Sequence, residues 1–514
     1  MANDSFIHEL RLKTTPQDLK DLDKRLNAAR LLYNACLGEG LKRLRLVRQS
    51  KTFQKAVNLS PKIKNAKGLM VANKERKTLF IESNQIHSFT DYDLQNYVLT
   101  LRKNNWLGEK IDSLTAQKIA KRAFDSIQKY AFGVRGKPRF KSFGRISSVE
   151  GKNNQSGIRW KDNRIVWAGL SLDPVFDKKD KYQLEAYALS CKTKYVRLIK
   201  REIKGESTWY AQLVQSGKPF IKDHNQSKGN IVGLDIGPST IAVVGKNEAW
   251  LQGFCDNVFD YDIKIKANNR MINRSLRATN PDNYEADRIT KNNNGRIIRK
   301  LGKNKKNSRP WVRSRNCIHL MADNRELSRK MAASRNTAQG YLANKILKLG
   351  NIVKTEKLSY KGFQKLWGKS VGKRSPATFM SKMRYKAENA GGVLYEFSTY
   401  KTALSQTCVC GNKEKKPLKQ RWHYCSNCGA IAQRDLFSAN LARYVDNHRL
   451  DISQAKQAWA GVDTLLAQAV SKLNKTATGK SNRIASFGLN QSLSCLPVKE
   501  ESTICKTLDV VGVS

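Results

Sequence analysis

Long apolar runs are missing from this chain. No stretch approaches the roughly 18 uninterrupted apolar residues that a membrane-spanning helix requires. The opening residues, Met1 to Lys13, carry charges throughout and lack the apolar region of a signal peptide. We therefore expect a soluble protein that is not exported.

Acidic residues are scarce relative to basic ones. The 514 residues include 95 Lys and Arg but only 43 Asp and Glu, which gives a formal net charge of +52. A charge this large opposes compact folding by self-repulsion unless a polyanion neutralises it. Nucleic acid is the expected partner, and a ribosomal or basic scaffold protein is an alternative within that class. A membrane surface is not indicated, because no long basic amphipathic helix stands out.

Cysteine is too sparse and too unevenly placed for a disulfide framework. Four of the ten cysteines form two close pairs, Cys408-Val-Cys410-Gly and Cys425-Ser-Asn-Cys428-Gly. Two such turns supply four thiolates to a tetrahedral Zn²⁺ and leave no open position, as in structural zinc sites. The first pair is one residue shorter than the usual C-x₂-C, so His423 is an alternative ligand to one of its cysteines. The pattern predicts a structural zinc ribbon in a reducing compartment.

The amino-terminal part predicts one strand followed by helices. Residues 6–13 alternate apolar and polar side chains, as a half-buried strand does. Thr15 and Asp18 then mark a helix start, and helical periodicity continues to about residue 132. Between about residues 136 and 220, glycines and short alternating runs predict a β-rich segment. We expect the first strand to pair with this segment, which makes the helices an insertion.

The second half predicts an α/β arrangement beyond a linker at residues 223–229. Residues 231–236 and 240–244 are apolar strands joined by a Gly-Pro-Ser turn, and residues 352–358 form a further strand. Residues 263–349 are predicted to be mostly helical and are strongly basic.

One basic run is conspicuous for its lack of acids. Between Lys291 and Asn316 there are ten Lys and Arg, no acidic residue, and Trp311. A solvated loop is the alternative, but uncompensated charge favours phosphate contacts. Trp106, Trp160 and Trp311 are candidates for base stacking, and the sequence does not choose among them. The nucleic-acid-binding candidates in this run are Arg296, Arg299, Lys300, Lys303, Lys305 and Lys306.

Three carboxylates stand out by their positions. Asp235 interrupts an apolar strand, where a lone charge is costly unless it is paired or bound to metal. Glu356 lies beside Lys354 and Lys357, which also fits a surface ion pair. Asp435 opens a helical run, where an acid merely suits the helix dipole. Taken singly, each residue fits a structural role, and none decides the function.

In their order, these segments resemble the TnpB proteins of insertion sequences and the related type V CRISPR effector nucleases. The amino-terminal half matches more loosely than the carboxyl-terminal half, and the resemblance covers residues 5–445. The family commonly has Asn two residues after the last Asp and small residues next, whereas this chain has Phe437, Ser438 and Ala439, with Asn440 further on. The matching segments are Thr15-Pro-Gln17, Arg30-Leu-Leu-Tyr-Asn34, Gly136-Lys-Pro-Arg-Phe-Lys141, Gly233-Leu-Asp-Ile-Gly237, Lys354-Thr-Glu-Lys-Leu358, Met383-Arg-Tyr-Lys-Ala387 with Gly391-Gly392, Ser405-Gln-Thr-Cys408, the cysteine pairs and Gln433-Arg-Asp435.

The resemblance implies a multidomain α+β and α/β fold. A RuvC/RNase H-like nuclease domain with an inserted zinc ribbon follows a β-rich wedge domain, which itself carries an inserted helical recognition domain. The implied ranges are 1–15 and 135–222 for the wedge, 16–134 for the recognition domain, 228–402 and 433–450 for the nuclease domain, 403–432 for the ribbon, 451–475 for a carboxyl-terminal helix and 476–514 for a disordered tail.

The resemblance also implies a RuvC-type active site made of Asp235, Glu356 and Asp435. Their hard oxygen ligands select Mg²⁺ or Mn²⁺, whereas the soft thiolates of the ribbon select Zn²⁺. Two Mg²⁺ ions roughly 3.5–4 Å apart would activate a water and stabilise the leaving 3′ oxygen during phosphodiester hydrolysis. No histidine base is required, which suits a chain with six His. The implied ligand sets are Asp235, Glu356 and Asp435 for Mg²⁺ and Cys408, Cys410, Cys425 and Cys428 for Zn²⁺.

The implied partners are a guide RNA and double-stranded target DNA with a short adjacent motif. Base pairing reads the sequence while the protein holds the backbone. We expect a monomer in the prokaryotic cytoplasm or nucleoid, encoded by an insertion sequence; a CRISPR context remains an alternative. Further basic candidates for nucleic-acid contact are Lys137, Arg139, Lys141 and Arg434.

Other classes of function stay open. A guide-RNA-dependent DNA-binding protein, such as a repressor with weak or no cleavage, would show the same charge and much of the same sequence. An RNA-binding scaffold is a third possibility. A transposase that catalyses its own strand transfer is less favoured, because nothing resembles a tyrosine nucleophile site with a paired His motif. The RNA that copurifies with the protein would discriminate among these.

Overall fold

The chain folds into two compact units, Met1–Phe220 and Ile221–Ser514. The structure, a computed structural model, describes residues 4–64, 69–227, 229–291, 295–306, 309–417, 419–476 and 484–489. Within these ranges, no helix has the length and apolar character needed to cross a membrane.

The first unit combines an antiparallel sheet with a group of helices. Its helices are α1 Pro16–Gln49, α2 Lys51–Asn58, α3 Lys74–Ile86, α4 Asp91–Lys103, α5 Leu107–Lys110, α6 Ser113–Ala131 and α7 Leu184–Ser190. Its strands are β1 Ser5–Leu12, β2 Lys62–Lys64, β3 Met70–Ala72, β4 Ser148–Glu150, β5 Arg159–Lys161, β6 Arg164–Trp167, β7 Leu170–Leu172, β8 Pro174–Val175, β9 Thr193–Ile203 and β10 Glu206–Ser216. The main sheet has the order β4-β9-β10-β1-β8. Strand β1 pairs antiparallel with β10, with Phe6 opposite Gln215. The predicted pairing of the first strand with the β-rich segment is confirmed.

Helix α1 begins where the sequence predicts. Thr15 accepts a hydrogen bond from the backbone N–H of Asp18, whose carboxylate accepts the N–H of Thr15 at 2.8 Å. This reciprocal capping box satisfies two backbone donors that the first helical turn leaves unpaired. Buried side chains of α1 and α6, such as Leu22 and Ile127, share one core with Leu198 of the sheet. The helices and the sheet of this unit therefore have a continuous core.

The second unit is built on a mixed five-stranded sheet. Its helices are α8 Phe259–Thr279, α9 Arg315–Leu349, α10 Tyr360–Arg374, α11 Pro376–Asn389, α12 Thr399–Thr402, α13 Arg434–Ala442 and α14 Ile452–Thr476. Its strands are β11 Ile231–Ile236, β12 Thr240–Val244, β13 Ala249–Gly253, β14 Arg288–Lys291, β15 Ile297–Lys300, β16 Ile352–Glu356, β17 Val393–Phe397, β18 Trp422–Tyr424, β19 Ile431–Gln433, β20 Val445–Asp446 and β21 Arg449–Leu450. The sheet order is β13-β12-β11-β16-β17. Strand β11 is antiparallel to β12 and parallel to β16, which is parallel to β17.

Helices cover both faces of this sheet. On one face, Leu234 and Val353 pack with apolar residues of α9 and α11. On the other face, Ala242 and Phe397 pack with residues of α13 and α14. Because successive side chains of a strand point to opposite faces, β12 contributes to both cores and is a continuous apolar run. Strands β11 and β16 contribute apolar side chains to the first core only, and polar residues lie on their other face.

The predicted helical region between residues 263 and 349 is interrupted. Helix α8 ends at Thr279 and α9 begins at Arg315, and between them β14 and β15 form an antiparallel hairpin. Pro281 and Pro310 cannot continue a helix interior, and β-branched residues such as Ile289 and Ile297 favour strands. The prediction of a mostly helical region holds for α8 and α9 but is wrong for the segment between them, residues 280–314, which we call the excursion.

The predicted disordered tail, residues 476–514, is described only at Thr476 and residues 484–489. Phe487 is buried in the core that contains α13 and α14. The indole Nε1 of Trp422 donates to the carbonyl of Gly488 at 3.2 Å. Disorder therefore does not hold for residues 484–489, because a large apolar side chain there packs into the core; the other residues of that range lie outside the described part of the chain.

Candidate functional site

Asp235 and Glu356 lie on neighbouring parallel strands. The register pairs Leu234 of β11 with Thr355 of β16, so the two acids occupy the next position on each strand. Adjacent strands are separated by about 4.8 Å, and side chains at equivalent positions point to the same face. Lys354, two residues before Glu356, identifies that face because its Nζ donates to the carbonyl of Val445 at 2.7 Å, just beyond α13. Both acids therefore face α13.

Helix α13 brings Asp435 to the same place. A Cβ atom at Gly233 would overlap the carbonyl oxygen of Ala439, so only glycine lets the helix lie this close to β11. Asp435 is in the first turn of that helix. Thr240, buried at the start of β12, donates from Oγ1 to Oδ2 of Asp435 at 3.4 Å. Three segments far apart in sequence thus converge on one carboxylate cluster.

The acids influence one another electrostatically. Burial raises the pKa of Asp235 well above its usual value, and the carboxylates of Asp435 and Glu356 raise it further. Burial also raises the pKa of Asp435. Burial raises the pKa of Glu356 to about 7, against a lowering contribution from the backbone N–H of Leu404. Such shifts are expected where several acids share a buried site.

Nearby arginines offset only part of the rise in the pKa of the two aspartates. The Nη1 atom of Arg421 lies 3.9 Å from Oδ1 of Asp435, and Arg421 and Arg434 lower the pKa of both aspartates. Even so, the pKa of each aspartate remains above its usual value. The effect of Asp435 and Glu356 on the pKa of Asp235 makes the three acids neighbours, and carboxylate oxygens are the ligands that a hard divalent cation such as Mg²⁺ prefers.

Thr240 and Arg421 were not singled out from the sequence. Thr240 is a hydroxyl residue in the otherwise apolar strand Thr240-Ile-Ala-Val-Val244, a signal of the same kind as Asp235. Arg421 lies in the ribbon segment, and no local pattern distinguishes it from the neighbouring basic residues. Only the packing of the ribbon against α13 identifies it.

The four cysteines form one cluster. Their sulfur atoms all lie within 4.8 Å of one another. The Sγ atoms of Cys408 and Cys428 are 3.5 Å apart, and those of Cys410 and Cys425 are 3.6 Å apart. A tetrahedral zinc with Zn–S bonds of about 2.3 Å would separate its sulfurs by about 3.8 Å. The short first pair therefore does not prevent a Cys₄ site, and the donor set fits Zn²⁺.

His423 has a different role from the alternative considered above. Its Nδ1 lies 2.8 Å from Nζ of Lys416. Its ring stacks on Phe437 of α13, with centroids 3.8 Å apart and an angle of 14° between the planes. His423 is thus a packing contact between the ribbon and α13.

The family departures after Asp435 have structural consequences. Phe437, in place of the usual Asn, is buried and supplies the ring on which His423 stacks. Asn440 is also buried, and its Oδ1 accepts from Nη1 of Arg443 at 3.2 Å. Five positions along a helix rotate Asn440 well away from the direction of Asp435. It therefore does not replace the missing Asn.

The six basic candidates between residues 296 and 306 lie on β15 and in the loops beside it. All are exposed. Arg299 donates from Nε to the carboxylate of Asp287 at 2.8 Å, so part of its charge is compensated. The cluster of lysines at 300, 303, 305 and 306 forms a positive surface. No described contact tests a role in nucleic-acid binding, which stays a prediction.

The remaining basic candidates differ in their surroundings. Lys137 and Arg139 are exposed in the loop after α6. The backbone of Lys141 is held by Asn34 through hydrogen bonds of 2.8 and 2.9 Å. Arg434 donates from Nη1 to the carbonyls of Pro417 and Gln420 at 3.1 and 3.2 Å. Its guanidinium therefore ties the ribbon to α13, a structural role that does not need nucleic acid.

One protein-family model matches the chain. Residues 377–440 match the Cas12f1-like TNB domain. The matched segment begins in α11 and includes β17, the four cysteines and Asp435. A comparison with curated proteins finds no match.

Solved structures give distant likenesses. The cryo-EM structure of a Cas12f1–sgRNA–target DNA complex is 12% identical, covers 85% of this chain and 98% of that chain, and has a TM-score of 0.42. A CRISPR-Cas12f ternary complex is 13% identical over the same shares, with a TM-score of 0.27. A mini-RNA-guided endonuclease, CRISPR-Cas_phi3, is 15% identical over 57% of each chain, with a TM-score of 0.27.

Proposed function

We propose that this chain, which belongs with the TnpB and Cas12f-like proteins through residues 377–440, is an RNA-guided DNA endonuclease of the TnpB type. The observation that carries the proposal is the convergence of Asp235, Glu356 and Asp435 on one face of the sheet. Three acids from β11, β16 and α13 share a half-buried site where each has a raised pKa. Without a cationic ligand, such a cluster opposes folding, so its presence points to a metal-dependent activity.

The three acids would hold the divalent ions of a RuvC-like site. When bound, two Mg²⁺ ions would supply a nucleophilic water and stabilise the leaving oxygen of an in-line phosphodiester hydrolysis. The chain's own residues position the ligands. Thr240 donates a hydrogen bond to Asp435, the backbone N–H of Leu404 favours the ionised form of Glu356, and Gly233 sets the distance between α13 and β11.

A guide RNA and target DNA are the proposed partners. A net charge of +52 destabilises the folded protein by self-repulsion. This supports a polyanionic partner that stays bound and neutralises the charge. In guided nucleases, base pairing selects the sequence while the protein contacts the backbone. This division needs a broad basic surface, and the exposed lysines near β15 fit it.

The second candidate function is guided DNA binding with weak or no cleavage. The observation in its favour is Phe437, which stands where the resembled family commonly has Asn. The three retained carboxylates favour cleavage, because a binding protein gains nothing from burying a repulsive acidic cluster.

The test is guided cleavage by the purified full chain. RNA that copurifies with the protein is sequenced, and target DNA matching the guide is offered with Mg²⁺ in a set of flanking sequences. We expect the parent protein to cut, and Asp235→Ala to lose cleavage while keeping RNA and target binding. Glu388→Ala, an exposed acid on α11, is the matched control and should cut like the parent. Binding without cleavage by the parent would support the second candidate, and cleavage by Asp235→Ala would show that the active site is wrongly assigned.

A further inference from the structure

A cavity that the proposed active site does not use lies where the excursion between α8 and α9 meets these two helices. Its volume is about 510 Å³, within the range of roughly 300–1,000 Å³ that small-molecule sites span. Aromatic, amide and guanidinium side chains line it together with aliphatic ones. The polar and aromatic lining residues are Asn273, Arg277, Tyr284, Asn304, Trp311 and Arg313.

Trp311 and Tyr284 form an aromatic corner in this cavity. Their ring centroids are 5.5 Å apart and their planes make an angle of 83°. The guanidinium of Arg277 lies over the Tyr284 ring, 4.2 Å from its centroid. Arg277 is held in turn by the carbonyl of Gly302 at 2.7 Å and lies 3.9 Å from Asp287. A cation stacked on one ring and a second ring at right angles make a rigid aromatic wall.

Two buried asparagines fix the backbone on either side of Trp311. Asn283 donates to the carbonyl of Arg309 at 3.0 Å and accepts its N–H at 2.7 Å. Asn280 makes the same pair of bonds with Val312, at 2.8 and 2.7 Å. Both asparagine side chains are largely inaccessible to solvent, at 6% for Asn280 and 2% for Asn283. The indole is thus presented by a backbone that cannot easily move, and a preorganised ring loses little entropy when a ligand stacks on it.

The structure separates Trp311 from the other two tryptophans considered for base stacking. Trp160 packs against the core of the first unit. Trp106 is 49% exposed at the start of α5 and lines none of the cavities described. Trp311 combines partial exposure with an aromatic partner, a stacked cation and a cavity. Its surroundings are those of a stacking platform.

We propose that this cavity binds an unpaired nucleobase of a single-stranded nucleic acid, which stacks on Trp311. The amides of Asn273 and Asn304 can donate to and accept from a base edge. Arg313 in the cavity and the exposed lysines at 300, 303, 305 and 306 suit the flanking phosphates. Aromatic rings beside a basic surface are how proteins hold single strands without sequence preference. The inference rests on the proposed function only for the claim that the strand belongs to a guide or target.

The experiment uses the full chain, freed of copurified RNA by high salt and kept without Mg²⁺. Affinity is measured for single-stranded RNA and DNA 12-mers and for DNA of the same length with abasic sites throughout. Trp311→Leu should weaken binding of one or both base-bearing strands by about 5- to 100-fold and leave binding of the abasic strand unchanged. Trp311→Phe should retain most of the affinity, and Trp106→Leu, the matched control, should bind like the parent. The strand that shows the loss identifies its source as RNA or DNA.

Two results would overturn the inference. Equal weakening of the binding of base-bearing and abasic strands would mean that the Trp311 side chain only stabilises the fold of the excursion. No weakening in Trp311→Leu would mean that the cavity binds no base. Both outcomes are distinct from failure of the proposed function, because the measurement needs neither a guide nor cleavage. Suppose that the parent protein carries no RNA and does not cut, while Trp311→Leu still binds base-bearing strands more weakly than the parent. The proposed function would then be wrong, and the base-binding site would remain supported.

Discussion

Gly233 of β11 lies directly against Ala439 of α13. The approach is so close that a Cβ atom at Gly233 would overlap the carbonyl oxygen of Ala439. This contact sets the distance between the strand that contains Asp235 and the helix whose first turn contains Asp435. The absence of a side chain at Gly233 therefore determines how closely the segments that contain the two aspartates approach each other.

Gly233→Ala should displace α13 and damage the site. We expect a loss of about 1–3 kcal/mol in the free energy of unfolding, the usual cost of overpacking a core, together with a loss of cleavage. Gly340→Ala on α9 is the control, because a Cβ there meets nothing within 4 Å; it should stabilise the helix by roughly 0.5–1 kcal/mol. Denaturant titration and a cleavage assay measure both effects, and full activity in Gly233→Ala would contradict the proposed packing.

The contribution of Glu356 to the stability of the metal-free protein should fall as pH rises. Burial raises the pKa of Glu356 to about 7, above its value of about 4.3 in an unfolded chain. The folded state therefore binds more protons between about pH 4.3 and pH 7, and this contribution to the free energy of unfolding decreases across that window, by at most about 4 kcal/mol.

Glu356→Gln removes this titration. At pH 8 without Mg²⁺, the variant should be more stable than the parent, whereas at pH 4 the two should be equally stable. Added Mg²⁺ should stabilise the parent at pH 8 more than the variant, because the ion binds the ionised carboxylate. Thermal unfolding in a magnesium-depleted buffer, without a chelator that would strip zinc, gives the comparison. Parallel pH profiles for parent and variant would mean that folding does not change the pKa of Glu356.

The cysteine cluster should hold one Zn²⁺ per chain. Replacing Cys425 and Cys428 with Ser should release the metal, unfold the ribbon and disturb Asp435, which lies two residues beyond β19. Cys191→Ser, outside the cluster, is the control and should keep its zinc. Elemental analysis of the purified proteins measures the content. Parent protein without zinc would remove this assignment.

The lysines near β15 should set part of the salt dependence of RNA binding. Each duplex phosphate that a protein neutralises contributes about 0.9, and each single-strand phosphate about 0.7, to the slope of log affinity against log salt. Replacing Lys300, Lys303, Lys305 and Lys306 with Gln should therefore flatten the slope by up to about 2.8 for single-strand contacts or about 3.6 for duplex contacts. The target sequences that are cut should not change, because phosphate contacts position the chain and base pairing specifies the target.

The control for that measurement is an exposed basic loop with acids beside it. Lys178, Lys179 and Lys181 lie among Asp177 and Asp180, so their replacement by Gln should change the slope little. Salt titrations with one defined RNA compare the two sets. Equal slopes for the β15 variant and the parent would favour a solvated loop and move the phosphate contacts elsewhere, for example to Lys137 and Arg139.

The sequence by itself determined the features that depend on a few neighbouring residues. The capping box of Thr15 and Asp18, the strands on either side of the Gly-Pro-Ser turn and the two cysteine pairs are all short-range patterns. Their physical causes, backbone hydrogen bonding, side-chain alternation and ligand spacing, act within one or two turns of chain. The matching order of Asp235, Glu356, the cysteines and Asp435 could also be read from the chain, because order needs no geometry.

Only the tertiary structure decided which side chains meet. Strand β16 follows β11 by more than one hundred residues yet lies beside it, so the shared face of Asp235 and Glu356 depends on strand order rather than on local periodicity. The same is true of Arg434, whose charge suggested nucleic acid but whose guanidinium binds ribbon carbonyls. Trp311 differs from Trp106 and Trp160 through its neighbours alone. In each case the role of the side chain depends on contacts with residues that are distant in sequence. Such contacts form only when the helices have packed against the sheet.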